Sequence, residues 1–119
     1  MARNTVRFVV SLAIKDGQFD AFEAVAKEMI ALTQMEPGTL AYDWYLSPDK
    51  TQCRLYESYV DGNAALAHMA GKVVQEFVPK LLGPTTITGF EVYGETGAST
   101  EMLKGAGATF FPFWQAIGR

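Results

Sequence analysis

Residues 5–14 (TVRFVVSLAI) form an apolar run rich in β-branched and aromatic side chains, closed by Asp16-Gly17, which predicts a strand and a turn. From Gln18 to Met35 the pattern changes period. Phe19, Phe22, Val25, Ala26, Met29 and Leu32 recur every three or four residues, with Asp20, Glu23, Lys27 and Glu28 on the other side. That is an amphipathic helix, ended by Pro37-Gly38. Residues 39–46 (TLAYDWYL) alternate again, SPDKTQ makes a turn, and residues 53–60 (CRLYESYV) form the partner strand of a hairpin. Asp61 or Asn63 can cap a second helix carrying Leu66, Met69, Val73, Phe77 and Leu81, which Gly71 and Pro79 divide. Gly83-Pro84 stops it, and residues 85–94 (TTITGFEVYG) give a last strand.

The order β-α-β-β-α-β predicts a ferredoxin-like α+β fold, an antiparallel sheet with two helices on one face. The other face has to meet water or protein. Both alternating sets of the hairpin carry large groups: Tyr42 and Trp44 against Tyr45, Leu55 against Tyr56. A solvated face would be polar, so the bare face is expected to close on a second copy in a two-fold homodimer. Residues 1–94 are assigned to this domain. Residues 95–119 form a Gly-rich extension with a helical turn near 99–104 and an aromatic end. Phe110, Phe111, Phe113 and Trp114 are expected to be buried on their own subunit or on its partner.

Composition narrows the function classes. The 119 residues suit one domain, and 49% hydrophobic content is rich for so small a monomer, in line with a covered apolar face. The net charge of −3, without a Lys/Arg cluster, offers no footprint for nucleic acid. One cysteine and one histidine exclude an intrachain disulfide and leave too few soft ligands for an ordinary transition-metal centre. The run FVVSLAI is too short to span a membrane, lacks a small-residue cleavage site and runs straight into the turn KDG. A cytoplasmic protein is expected.

Period-two alternation places Cys53, Leu55, Glu57 and Tyr59 on one face of the third strand. His68, the only imidazole in the chain, lies on the flank of the following helix, near Ala65 and Met69 in angle. If that helix folds back over the Glu57/Tyr59 face, one cavity holds a base, a carboxylate to orient it and an aromatic wall. Purely structural roles are open too: His68 as a packed, hydrogen-bonded residue, Glu57 paired with Arg54 or Lys72, Cys53 as inert core.

The segment EPGTLAYDWYLSPD (36–49) followed by YESYVDGNAALAHM (56–69) resembles the antibiotic biosynthesis monooxygenase family, including bacterial quinol monooxygenases. The matching positions are Glu36-Pro37-Gly38, Tyr42, Glu57, Tyr59, Asp61, Ala65 (or Ala64) and His68, within a likeness covering about residues 5–94. Tyr59 stands where the family often has tryptophan. The resemblance implies a dimeric α+β barrel and oxidation of a quinol-like or polycyclic aromatic substrate by O₂ without a cofactor. No G-x-G-x-x-G follows a strand, so no dinucleotide site is suggested. Imidazole is the side chain that titrates near neutrality, which makes His68 the candidate base, with Glu57 and Tyr59 beside it. A non-catalytic dimer that binds a small hydrophobic ligand, or serves in assembly, is the alternative. Haem breakdown, known in some members, would use His68 as axial ligand but also an Asn and a Trp with no counterpart here.

Overall fold

A computed structural model describes residues 4–118. The first three residues and Arg119, at the outer ends of the two expected units, lie outside the described residues. Strands β1 (Val6–Ile14), β2 (Thr39–Leu46), β3 (Gln52–Tyr59) and β4 (Thr85–Tyr93) and helices α1 (Phe19–Thr33) and α2 (Gly62–Ala70) fall where the periodicity puts them. Beyond α2 the backbone passes through a π-helical turn (Val73–Phe77) into α3 (Val78–Leu81). Gly71 caps the end of α2, and Pro79 sits in the first turn of α3, where its missing N–H costs nothing. Asp61, rather than Asn63, caps α2: its carboxylate accepts from the Ala64 N–H at 2.9 Å.

The sheet order is β2-β3-β1-β4-β5, and the first three pairings are antiparallel, as expected. The extension corrects the rest of that expectation. After a 3₁₀ turn (Gly97–Ser99) and α4 (Thr100–Gly105), residues Thr109–Phe111 form β5, which runs parallel to β4 and makes the sheet mixed. The sheet of one chain is open at β2 and β5. Leu103, fully buried, joins Val6, Phe8, Tyr59, Ala65 and Met69 in one half of the core. The other half gathers Leu12, Phe22, Met29, Cys53, Phe77 and Leu81 between sheet and helices.

The terminal aromatics are only partly covered within the single chain. Within the chain Phe110 is half-buried against the core, and Phe111 stacks on Tyr93 with ring centroids 5.2 Å apart. Phe111, Phe113 and Trp114 remain exposed, Trp114 at 83%.

Two irregularities shape the inner face. A bulge at Thr88, where Ser11 pairs with Gly89 but Leu12 with Ile87, turns Ile87 to the helix side. Gly38 allows a close approach: a Cβ there would lie 2.6 Å from the Ala64 Cβ. The absent side chain lets the α1–β2 loop lie against the start of α2.

Candidate active site

Alternation along β3 points Cys53, Leu55, Glu57 and Tyr59 toward the helices, all of them buried. Glu57 stands opposite Phe8 on β1 and Tyr42 on β2. The Asp61 cap starts α2 so that it returns over this face and carries His68, 2% exposed, down beside Glu57. The three residues singled out in the sequence therefore meet. The His68 ring centroid is 5.2 Å from Tyr59 and 5.5 Å from Tyr42.

Their contacts differ from the expected ones. The carboxylate that holds the imidazole is Glu36, whose oxygens lie 2.8 and 3.1 Å from His68 Nδ1. Glu36 also accepts from the Thr39 hydroxyl at 2.8 Å. Two carboxylate oxygens on one ring nitrogen place the proton on Nδ1, which leaves Nε2 facing Glu57 Oε1 across 3.5 Å. That gap exceeds a hydrogen bond. Tyr59 donates a short hydrogen bond to Glu57 Oε1 from behind and is not one of the cavity's lining residues. It positions Glu57 rather than walling the cavity. Neither suggested partner of Glu57 is used: Arg54 donates to the Cys53 carbonyl, and Lys72 lies by Glu76.

The two carboxyls titrate in opposite directions. Burial opposes ionisation of Glu36, but the hydrogen bond and charge of His68, with Thr39, outweigh it and hold its carboxyl below the usual range. Burial raises Glu57 above that range, with Glu36 adding, against the pull of His68 and Tyr59. Burial first, then the neighbouring Glu57, push the Tyr42 and Tyr59 phenols upward, so both stay protonated. Burial likewise pushes the Cys53 thiol up to about 11, which keeps it inert.

Beside the polar group lies a cavity of about 210 Å³. Its walls come from every layer: Phe8 and Leu55 of the sheet, Met29 of α1, Met69 of α2, Val78 of α3 and the turned-in Ile87. Glu57, His68 and Tyr42 supply its polar corner. Ile87 is 43% exposed and stands at the mouth. Among the described residues no group of three or more His, Cys, Asp or Glu side chains is placed to hold a metal ion. An axial bond from His68 would require Nε2 to turn from Glu57 or Nδ1 to leave Glu36.

The family model for antibiotic biosynthesis monooxygenases matches residues 5–80. This chain belongs to the antibiotic biosynthesis monooxygenase family. Among solved structures, MupZ from Pseudomonas fluorescens superposes with a TM-score of 0.83 at 24% identity, covering 98% of this chain and 95% of that one. A structure described as an antibiotic biosynthesis monooxygenase superposes at 0.65 and 22% identity, over 73% of this chain and 92% of that one. The protein SO0527 from Shewanella oneidensis does so at 0.64 and 24% identity, over 76% and 87%. At these identities the likeness is one of fold; with MupZ it extends over nearly the whole chain. No curated protein sequence matches the chain.

Two residues of the site carried no assigned role at the level of sequence. Glu36 and Tyr42 lie within the quoted motif, but Glu36 is 32 positions from His68. The signal that could have found it is Gly38, a residue without a side chain where the loop must touch α2.

Proposed function

We propose that this protein uses O₂ to oxidise a phenol or quinol in the cavity beside His68, without a bound cofactor. The observation that carries this is the fixed imidazole: Nδ1 held by Glu36, Nε2 turned toward Glu57 at the edge of an apolar cavity. His68 Nε2 takes the phenolic proton, and the resulting phenolate is electron-rich enough to reduce O₂. Oxygen then bonds to a ring carbon that carries hydrogen, ortho or para to the hydroxyl. That carbon's hydrogen and the phenolic proton leave with the second oxygen atom as water, and a quinone remains. The organic substrate gives up four electrons and O₂ accepts four. The chain's part is to hold the ring in a dry pocket, take and return one proton, and keep the imidazole in one tautomer. The buried, single Cys53 suits a reducing, cytoplasmic setting.

Oxygen uptake with a panel of hydroquinones and naphthols tests the proposal. Consumption with a quinone product supports it. Saturable binding without uptake would favour the alternative, a ligand-binding module, for which the apolar walls alone would suffice.

A further inference from the structure

We propose that Ala106, in the C-terminal extension, sets how large a ligand the cavity beside His68 admits. The inference rests on that cavity being the substrate site and adds a residue that determines its specificity.

The cavity wall otherwise comes from residues 8–90, on the sheet and the helices above it. Among the described lining residues only Ala106 lies beyond β4. Its methyl is the single side chain of the turn Gly105-Ala106-Gly107. Ala106 is exposed, as is Ile87, which places both at the opening rather than in the depth. It also lies outside residues 5–80, the segment that the family model matches. Size selection thus falls to the extension, while the base stays in the shared core.

The turn is held in place by its own hydrogen bonds. Gly107 adopts the left-handed conformation, φ +82°, and its N–H donates to the Lys104 carbonyl at 3.0 Å. The Ala108 N–H donates to the Leu103 carbonyl at 3.1 Å. These two bonds close α4 in a Schellman motif, with Ala106 between them. Leu103, fully buried, anchors the helix in the same half of the core as Phe8 and Met69, which line the cavity. Past the turn, β5 pairs with β4, the strand that carries Ile87. The methyl of Ala106 therefore has a set place relative to the rest of the wall.

The spacing of the strands says which ligands reach it. Glu57 is on β3 and Ile87 on β4, with β1 between them, so the polar corner and the opening are about 10 Å apart across the sheet. An apolar cavity of about 150 Å³ takes benzene. The 210 Å³ here encloses a single ring at the polar corner, and a fused second ring extends toward Ala106. A methyl leaves that path clear, and a longer side chain would fill it.

The test is equilibrium binding of phenol and 2-naphthol to the full chain under argon, followed by NMR. Ala106→Leu should weaken 2-naphthol about tenfold or more, within the usual cost of forcing extra methylenes into a filled space, and leave phenol unchanged. Lys104→Leu, exposed on the same helix and off the lining, should bind both as wild type does. Wild-type affinity of Ala106→Leu for 2-naphthol overturns the proposal, and so does an equal loss for both ligands. Ala106→Cys stays close to the natural side chain in size and gives a second readout should the leucine variant fail to fold. Its new thiol should react with N-ethylmaleimide, whereas Cys53 is buried. 2-Naphthol should slow that reaction and phenol should not; labelling at one rate with and without 2-naphthol overturns the proposal as well. Because nothing turns over under argon, the expected shift in a protein that consumes no oxygen would defeat the oxidation reading and leave this one standing. Oxygen uptake with 2-naphthol at an unchanged kcat/KM in Ala106→Leu would do the reverse.

Discussion

His68 lies between two carboxyls that behave differently because one reaches water and the other does not. Glu36, its side chain 27% exposed, ionises easily and is stabilised by His68 and Thr39. In the unfolded chain it titrates near 4.5. Its folded value is lower, so its contribution to stability is present above that pH and is lost as pH falls through the folded value. Glu36→Gln should therefore melt below wild type at pH 7 and converge with it in acid, as thermal scans across pH would show. Glu57 has the opposite sign. Its folded value lies above the ordinary one, so the folded state is favoured at low pH and loses stability as pH rises through that value. Glu57→Gln, which keeps an acceptor for Tyr59, should gain melting temperature over wild type with rising pH. A gain that shrinks or reverses between pH 5 and 8 would mean that burial does not govern this carboxyl.

At the scale of elements, Gly38 decides whether Glu36 reaches His68. A methyl there would overlap Ala64 Cβ, so α2 would have to move away from the loop. Gly38→Ala should cost about 1–3 kcal/mol, the usual range for overpacking, and should weaken activity along with stability. The double change Gly38→Ala with Ala64→Gly restores the space and should recover much of both. If the single variant is as stable and as active as wild type, the loop is not held against α2 as described. This approach also explains what was legible in the sequence. Alternation in β3 is dictated by the backbone, so the shared face of Glu57 and Tyr59 could be read from spacing, as could the return of α2 after Asp61. The pairing of Glu36 with His68 depends on a loop touching a helix far along the chain, which no local period records. The bulge at Thr88 that swings Ile87 to the cavity mouth, and the three-residue β5, are likewise products of long-range pairing.

On the scale of the whole molecule, one sheet face has helices and the other has none. Tyr45 on that bare side is 58% exposed, Phe111, stacked on Tyr93, is 44% exposed, and Trp114 in the terminal segment is 83% exposed. Leaving this much aromatic surface in water is unfavourable, and a second copy packing sheet to sheet would cover it. Light scattering at low micromolar concentration should give about twice the 13.1 kDa chain mass. Removing residues 112–119, which leaves β5 in place, should weaken the dimer and lower the melting temperature. A clean monomer for the full chain would sink the expectation of a dimeric barrel.

The central claim is that His68, held by Glu36, is the base that starts oxidation. It is tested most directly by comparing kcat/KM for an active quinol in wild type and His68→Gln, with thermal melts run in parallel. Glutamine keeps hydrogen-bonding groups between the two carboxyls but cannot take a proton near neutral pH. The expected result is a loss of at least about 10²-fold, the lower end of general-base catalysis, in a variant that melts as a folded protein and still binds 2-naphthol. A folded His68→Gln variant that oxidises the quinol at the wild-type rate would contradict the claim.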